Sequence, residues 1–518
     1  MPLSGPSLDR PIRVPDLLAG GLQQKPDDPA LVSAERSWSW RELDRASSSY
    51  AANLLALGLK PGDRVASLMP NRDALPIHYL GCLKSGLVAT PLNYRYMPPE
   101  IDHALEVSEA AILVAHAERD ADLAASKLVA RLPRGIIRYG AKNATGPSFE
   151  SLLEPRPGAP TPVAPGLRDP AAIFFTSGST GPAKGVTHSI ETLGWVLAAI
   201  IRGCEMTADD VILPGSSLSH IGGFCFSLMA LAAGARVIVP RTFDGHELLP
   251  LLRQQRPTVL VMLPAALFGL VRDHGAARED FASIRLCLSG GDKVPAQLER
   301  EFTELAGFAI DESFGMTEIG IATTNPPSGL NKLGSVGRLV AGYQMAIRDE
   351  SGAEVPTGSE GRLWIKSPCN TVGYWANPEA TRTTIKDGWL DTGDVMRVDA
   401  DGYLWFCGRR KQIIVHDGFN ICPQEVEDAL VEHPVVASVG VVGVHDLVHG
   451  ENVRAFVTLK EGSAPPAPHE LIAFARARIG YKAPEDVVVL AQMPLNPTGK
   501  VDRVALKKMA EERLAHAA

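Results

Sequence analysis

The sequence predicts an α/β protein. We expect a large N-terminal domain of helix-covered, largely parallel sheets with a β-rich portion, and a small α+β C-terminal domain. Through most of the first 330 residues, helical stretches with a period of 3.6 residues alternate with short apolar runs. From residue 334 onward short strands and frequent turns replace this alternation. A compact block with its own strands and helices follows residue 411.

Individual elements follow from the same patterns. Alternation is clear over residues 38–92, and further apolar runs predict strands of a parallel sheet at 111–115, 172–175, 211–213, 236–239 and 259–263. A helix is predicted over 295–306, and the proline-rich segment 154–170 is typical of a surface connector. The last block predicts a strand in 412–418, a helix from 423, strands in 437–444 and 453–459, a helix from 469 and a strand from 487. We place the domain boundary at 408–412, which gives domains 1–410 and 411–518.

Composition narrows the class of protein. Hydrophobic residues make up 45% and charged residues 21% of the 518 residues, and the net charge is −8, which gives no general attraction to nucleic acid. The longest apolar run, residues 221–235, is shorter than the ~20 residues of a membrane-spanning helix. Seven scattered cysteines show no disulfide or zinc spacing. We therefore expect reduced thiols, a cytoplasmic location and no nucleic-acid partner.

The segment TSGSTGPAKG, residues 176–185, follows an apolar run. Small hydroxyl residues and glycines let several backbone N–H groups point at one anion. The spacing does not fit a Walker A loop, because Lys184 is followed by Gly185 rather than by Ser or Thr. An anion cradle and an ordinary Ser/Gly surface loop are the two readings of the segment alone.

Four further motifs occur in order: SFGMTE at 313–318, DTGD at 391–394, GRRK at 408–411 followed by Gly418 and Glu425, and PTGK at 497–500. Together with the 176–185 segment they resemble the motifs of the adenylate-forming superfamily, which includes acyl-CoA synthetases, adenylation domains and firefly luciferases. The match runs over nearly the whole chain. Five ordered motifs are far more specific than any one of them.

The resemblance implies the following roles. ATP would be bound by Thr176, Ser177, Gly178, Ser179, Thr180, Gly181, Lys184, Ser313, Phe314, Gly315, Thr317, Asp394, Arg409 and Lys500. Glu318 would hold Mg²⁺, and Lys500, Thr317, Glu318 and His220 would be catalytic. Lys411 would be the hinge about which the C-terminal domain moves, and Gly418 would line the coenzyme A tunnel.

Each role has a structural alternative. Phe314 could be a core aromatic, Glu318 and Lys500 surface residues, Asp394 and Gly418 turn residues, and His220 a satisfied structural histidine. Asp417, just before Gly418, is unfavourable beside a polyanionic cofactor, and Val415 replaces a lysine found in some coenzyme A ligases of the family. These departures leave the acyl acceptor open.

The acyl pocket is the part that the sequence defines least. The resemblance assigns His220, Gly222, Gly290 and Gly291 to it, and the missing side chains at Gly222 and Gly223 suggest room for a ring or a medium alkyl chain. Asp292 would either favour a polar substrate or cap the helix that follows it.

The sequence therefore predicts an AMP-forming acyl-CoA ligase. It would use ATP, Mg²⁺ and coenzyme A to activate an apolar aliphatic or aromatic carboxylate. A stand-alone adenylating enzyme that passes the acyl group to an amine or a carrier protein is the alternative, and a nucleotide-binding protein without turnover is a third. The chain could act alone or as a homodimer.

Overall fold

The computed structural model describes residues 3–141, 146–178, 181–291, 294–409, 412–416, 419–446, 450–496 and 499–517. The strands, in chain order, are β1 Leu3–Ser4, β2 Pro29–Ser33, β3 Ser37–Ser39, β4 Arg64–Leu68, β5 Val88–Pro91, β6 Ile112–His116, β7 Ile136–Tyr139, β8 Pro170–Gly178, β9 Gly181–Ser189, β10 Val211–Gly215, β11 Arg236–Val239, β12 Val259–Met262, β13 Leu286–Gly290, β14 Asp311–Met316, β15 Gly320–Thr324, β16 Arg338–Leu339, β17 Gln344–Arg348, β18 Gly361–Lys366, β19 Gly373–Tyr374, β20 Ile385–Lys386, β21 Trp389–Val398, β22 Leu404–Arg409, β23 Ile414–His416, β24 Phe419–Ile421, β25 Val436–Asp446, β26 Gly450–Leu459 and β27 Asp486–Val489. The α-helices are α1 Ala19–Gln24, α2 Trp40–Ala56, α3 Ala74–Ser85, α4 Pro98–Ser108, α5 Asp120–Ala125, α6 Phe149–Leu152, α7 Ile190–Gly203, α8 Ile221–Ala233, α9 Gly245–Gln255, α10 Pro264–Phe268, α11 Ala296–Ala306, α12 Pro378–Thr384, α13 Pro423–Val431, α14 Pro468–Ile479 and α15 Arg503–Ala517.

The first sheet has the strand order β19-β9-β8-β5-β4-β6-β7. Strands β8, β5, β4, β6 and β7 pair in parallel, whereas β8 and β9 form a long antiparallel hairpin. Buried helix α3 follows β4 and ends at Gly86, whose φ of 68° reverses the chain into β5. The parallel strands therefore bring their carboxyl ends to one edge of the sheet.

The second sheet has the order β16-β15-β14-β13-β12-β10-β11-β2-β3. Its strands from β14 to β2 run parallel, and β15, β16 and β3 add antiparallel edges. Helices α7 and α8 pack together and share the main hydrophobic cluster with the first sheet. A ligand site is expected where the parallel strands end, because loops there are free to carry polar groups.

The third sheet, formed by β1, β17, β18, β20, β21 and β22, is antiparallel throughout its described pairings. The last sheet joins β24, β23, β26, β25 and β27, and its helices pack around clusters of residues that all come from 414–510. The predicted α/β class, with parallel sheets, a β-rich portion and a small α+β C-terminal part, is thus confirmed.

Predicted and observed elements agree closely but not fully. The helix predicted over 295–306 is α11, and the connector at 154–170 contains no helix or strand between 153 and 169. The strand expected at 172–175 is longer, since β8 continues to Gly178. Hairpin partner β9 and helix α15 were not predicted. Among the described residues, no helix is both long and apolar enough to cross a membrane.

Candidate active site

The 176–185 segment is the tip of the hairpin between β8 and β9. Thr176 lies opposite Lys184, and Gly178 lies opposite Gly181. The motif is therefore carried on two paired strands rather than on one wide loop after a strand. The predicted ligands Ser179 and Thr180 lie outside the described residues, and Ser177 is placed only by its position in β8.

Lys184 projects from this hairpin towards a carboxylate on the second sheet. Its Nζ lies 5.2 Å from the centre of the Tyr374 ring, within cation–π range. The Tyr374 hydroxyl donates a hydrogen bond to Glu318 Oε1 at 2.9 Å. Tyr374 belongs to β19, which pairs with β9, so the hairpin and the carboxylate are joined through one short strand.

Glu318 is buried, with 7% of its surface exposed. Burial raises the pKa of its carboxyl group, while the Tyr374 hydroxyl and the charges of Arg409 and Lys184 oppose that rise. A surface position, the structural alternative for Glu318, is therefore wrong. No cluster of three or more metal-ligating side chains occurs among the residues the structure describes. A single carboxylate nevertheless fits Mg²⁺ that arrives bound to substrate phosphates.

The backbone around Glu318 is held by buried polar groups. His188 Nε2 donates to the Thr317 carbonyl at 2.8 Å, and the Thr371 N–H donates to the Glu318 carbonyl at 2.6 Å. Burial lowers the pKa of His188 to about 4, so its ring is neutral at physiological pH. Gly315 allows β14 and β15 to approach, since a Cβ there would lie 2.3 Å from the Gly320 oxygen. Hydrogen bonds and a close approach of two strands thus place Thr317 and Glu318.

Ser313 and Phe314 lie in the middle of β14. The Ser313 hydroxyl donates to the Ser289 carbonyl at 3.2 Å. Phe314 is 9% exposed and belongs to the main hydrophobic cluster. The structure therefore shows the packing role of Phe314, and its predicted contact with adenine stays a prediction.

Asp394 and Arg409 face each other on adjacent strands β21 and β22. Arg409 Nε donates to Asp394 Oδ1 at 3.1 Å. Asp394 is only 2% exposed, and burial raises its pKa to about 6 although Arg409 opposes the rise. The DTGD motif forms an irregular part of β21, with a φ of 73° at Gly393, so a turn-like backbone and the bond from Asp394 to Arg409 occur together.

Lys500 reaches this group of residues from the far end of the sequence. Its Nζ donates to the Gly291 carbonyl, just after β13. The Lys500 charge also lowers the pKa values of His220 and Asp394. The structure thus brings Lys500 together with the predicted acyl pocket and the predicted ribose carboxylate.

His220 and the pocket glycines lie where β10, β12 and β13 end. His220 immediately precedes α8, and its Nε2 lies 3.5 Å from Asn93 Nδ2. A Cβ at Gly222 would meet only Ser216 Oγ, at 3.9 Å, so open space lies beside it. A Cβ at Gly290 would instead lie 2.6 Å from Ser313 Oγ, and Gly291 has a φ of 80°. Gly222 therefore adds room, whereas Gly290 permits close strand packing.

Several predicted positions cannot be placed. The hinge Lys411, the tunnel residue Gly418, its neighbour Asp417 and the pocket residue Asp292 lie outside the described residues. Conversely, sequence reasoning missed Tyr374, His188, Thr371 and Asn93. Their roles depend on partners between 56 and 184 residues away in the chain, and no local motif announces such contacts.

Three cations lie near two buried carboxylates. The charges of Arg409 and Lys184 act to lower the pKa of Glu318, and those of Arg409 and Lys500 act to lower the pKa of Asp394. This mixture suits a triphosphate, which needs cations for its oxygens, and a ribose, whose hydroxyls donate to a carboxylate. Comparison with known proteins agrees.

Residues 19–375 match the family model of AMP-binding enzymes, and residues 425–500 match that of the AMP-binding enzyme C-terminal domain. A feruloyl-CoA synthase from an Amycolatopsis species is 34% identical over 89% of this chain and 92% of that protein. The fatty acid–[acyl-carrier-protein] ligase ScoC from Streptomyces coeruleorubidus is 31% identical over 94% of each chain.

Solved structures are similar over nearly the full length. ATP-bound MatB from Rhodopseudomonas palustris is 29% identical, with a TM-score of 0.88 over 96% of this chain and 98% of that chain. The apo structure of the same protein, with the same coverage, gives 0.78. The anthranilate CoA ligase AuaEII in complex with anthranoyl-AMP is 26% identical, with a TM-score of 0.89 over 99% of each chain.

The chain therefore belongs to the AMP-binding enzymes of the adenylate-forming superfamily. Its enzyme class, an AMP-forming acid–thiol ligase, and its binding of ATP are as predicted from the motifs.

Proposed function

We propose that this protein activates an apolar aliphatic or aromatic carboxylate with Mg-ATP and transfers the acyl group to coenzyme A. The observation that carries the proposal is the position of Lys500, which bonds the Gly291 carbonyl and whose charge acts on the pKa values of His220 and Asp394, although it lies more than 100 residues beyond each of them.

In the first half-reaction a carboxylate oxygen of the acid attacks the α-phosphorus of ATP, and pyrophosphate leaves. The hairpin residues Thr176 and Lys184 hold the outer phosphates, and Asp394 with Arg409 holds the ribose hydroxyls. Mg²⁺, held by Glu318 and the phosphates, would neutralise charge on the leaving pyrophosphate. Lys500 lies between the two reacting anions, where a fixed cation offsets their repulsion.

In the second half-reaction the coenzyme A thiolate attacks the carbonyl carbon of the acyl-adenylate and AMP leaves. No protein nucleophile is needed. The buried cysteines are unsuited to such a role, because burial raises the pKa of the Cys82, Cys225 and Cys287 thiols and that of Cys369 to about 11.

The two half-reactions need different residues of the C-terminal part beside the same adenylate, Lys500 in the first and Gly418 in the second. We propose that the chain divides at 408–412 and that residues 411–518 rotate about Lys411, bringing Gly418 to the thiol tunnel. Two findings support this. The hydrophobic clusters of residues 414–510 are self-contained, and the structure is more similar to ATP-bound than to apo MatB.

The acyl substrate is proposed from the pocket and the relatives together. Open space at Gly222 leaves room for a ring or an alkyl chain, and related proteins are named as feruloyl-CoA synthase and anthranilate CoA ligase. The cytoplasmic location and the choice between monomer and homodimer stay predictions.

The first test is carboxylate-dependent exchange of labelled pyrophosphate into ATP, with a panel of aliphatic and aromatic acids. We expect exchange with at least one acid and a loss of about 10²-fold or more in Lys500→Ala, since one preorganised charge is removed. Lys508→Ala, which removes a largely exposed lysine on α15, is the matched control and should be unchanged. Exchange that is equally fast in Lys500→Ala would refute the role of Lys500, and no exchange with any acid would favour a binding protein without turnover.

The second test concerns the acceptor. One relative is named as a ligase for an acyl carrier protein, so coenzyme A, an amine and a carrier protein should be supplied separately. Mass spectrometry of the products should detect an acyl thioester of coenzyme A. A product only with the amine or the carrier would favour the stand-alone adenylating enzyme.

A further inference from the structure

The loop between β5 and α4 joins the first sheet to the candidate site. It starts where parallel strand β5 ends, at the same edge as the other strand ends. Asn93 of this loop lies with its Nδ2 3.5 Å from Nε2 of His220, which precedes α8 on the second sheet. This side-chain pair is one of the contacts between the two sheets, and it lies at the predicted acyl pocket.

The orientation of the Asn93 amide is fixed by its own loop. Its Oδ1 accepts a hydrogen bond from the Arg95 N–H at 2.9 Å, and its backbone oxygen accepts one from the Tyr96 N–H at 2.9 Å. Since the oxygen is engaged, the amide presents its NH₂ group to the histidine. An NH₂ group only donates, so Nε2 of His220 must accept and cannot itself carry a proton.

Side chains outside the loop hydrogen-bond to its backbone and to Tyr94. Arg119, whose side chain is 12% exposed, donates to the carbonyl oxygens of both Tyr94 and Tyr96. Its Nε also bonds Asp122 at 2.8 Å, and the Tyr94 hydroxyl bonds Glu118 at 2.7 Å. A bidentate arginine fixes the direction as well as the position of its partners.

His220 is neutral under these conditions. Burial, together with the charges of Lys500 and Arg95, lowers its pKa to about 4. A neutral imidazole carries its single proton on one nitrogen, and the hydrogen bond made by the other nitrogen decides which. The contact with Asn93 therefore determines which of the two neutral tautomers His220 adopts.

We propose that Asn93 is a positioning residue that holds His220 as the Nδ1–H tautomer, so that the ring offers one donor, Nδ1–H, towards the carboxylate substrate. The tautomer assignment stands on the contacts above. The link to substrate rests on the proposed function of His220 in the acyl pocket.

The test uses full-length protein labelled with ¹⁵N-histidine, in which multiple-bond ¹H–¹⁵N NMR distinguishes the two neutral tautomers. The His220→Gln variant identifies the His220 signals among those of 13 histidines. We expect the Nδ1–H pattern in the wild type. An ionised aspartate in Asn93→Asp can only accept a hydrogen bond from His220, and the leucine in Asn93→Leu neither donates nor accepts one. Both variants should therefore give the Nε2–H pattern.

Kinetics supply the second readout. In both Asn93 variants the KM for the acid should rise about tenfold, the value of one lost hydrogen bond, while the KM for ATP stays the same. Asn377→Asp is the charge-matched control, because Asn377 caps α12 and aspartate caps equally well. It should change neither the tautomer nor either KM.

An Nε2–H signal in the wild type, or an unchanged tautomer in well-folded Asn93 variants, would overturn the proposal. If Asn93→Leu unfolds, Asn93→Asp, which preserves the shape of the side chain, decides the matter. A shifted tautomer with an unchanged KM for the acid would overturn only the link between His220 and substrate. Pyrophosphate exchange driven by the panel of acids tests the proposed function separately.

Discussion

At the scale of single residues, burial of the Asp394 carboxylate lowers the stability of the fold, and we expect the same carboxylate to bind ATP. Its pKa is raised by burial from 3.8 to about 6, so ionising it destabilises the fold. The free-energy cost of ionising Asp394 in the folded protein is absent below pH 3.8, the pKa of the group in the unfolded chain. It is complete above pH 6, where it approaches roughly 3 kcal/mol. A residue retained at such a cost is expected to serve a ligand.

Asp394→Asn should therefore be more stable than the wild type above pH 6, with a gain that shrinks as the pH falls towards 4. The same variant should bind ATP more weakly, because a neutral amide accepts less strongly from ribose hydroxyls. Thermal unfolding between pH 5 and pH 8, together with the KM for ATP, measures both effects.

Asp399 provides a control, because its pKa is shifted in the opposite direction from that of Asp394. Burial acts to raise its pKa, but hydrogen bonds from Lys332 and from the Tyr403 N–H outweigh burial and lower the pKa to about 2. Its stabilising effect is present above pH 3.8 and is lost as the pH falls through 2. Asp399→Asn should thus destabilise the protein throughout pH 5–8. Equal shifts in the two variants would contradict this account.

At the scale of elements, the first turn of α8 contains two adjacent glycines with different roles. Gly222 faces open space, whereas a Cβ at Gly223 would lie 2.4 Å from the Ser217 carbonyl oxygen. Gly222→Val should reduce kcat/KM for bulky acids by about tenfold or more while smaller acids are affected less. Competition assays with acids of graded size provide the measurement.

The matched changes separate pocket size from helix stability. Gly223→Ala should destabilise the protein by about 1–3 kcal/mol through overpacking against backbone. Gly20→Ala, in the first turn of α1 with no described atom beyond its own helix backbone and chain neighbours within 4 Å of the added Cβ, should leave acid preference unchanged and stabilise slightly. An unaltered preference in Gly222→Val would show that the acyl group lies elsewhere.

The strands also show how much of the fold and of the site could be predicted from the sequence. The strand β11 occupies the predicted residues 236–239, because buried parallel strands read as continuous apolar runs bounded by polar turns. Hairpin partner β9 was missed, because its glycines and lysine carry the signature of a phosphate loop rather than of a strand. Motif order identified Lys184, Glu318, Asp394 and Lys500. Tyr374 and Asn93 could not be predicted, because their partners are set by how separate sheets meet.

At the scale of the whole molecule, the C-terminal part contacts the N-terminal part at more than Lys500. Lys460, at the end of β26, lies close enough to Glu301 on α11 to lower the pKa of that carboxyl, which is held mainly by Arg272. Glu360 likewise acts on Lys482. The residues of each pair lie near each other in this arrangement of the two parts, and the proposed rotation would move them apart.

Cross-linking should separate the two half-reactions. We expect the double variant Glu301→Cys with Lys460→Cys, joined by a short bismaleimide, to retain pyrophosphate exchange and to lose thioester formation. The two single-cysteine variants, treated with the same reagent, should retain both activities and so control for reaction at native thiols. Undiminished thioester formation by the cross-linked enzyme would contradict rotation about Lys411.

The hydrogen bond from Lys500 to the Gly291 carbonyl has a consequence for turnover. The ammonium group is held by a main-chain oxygen of the N-terminal part, so this hydrogen bond ties the two parts of the chain together. The rotation that we propose between the half-reactions would have to break it.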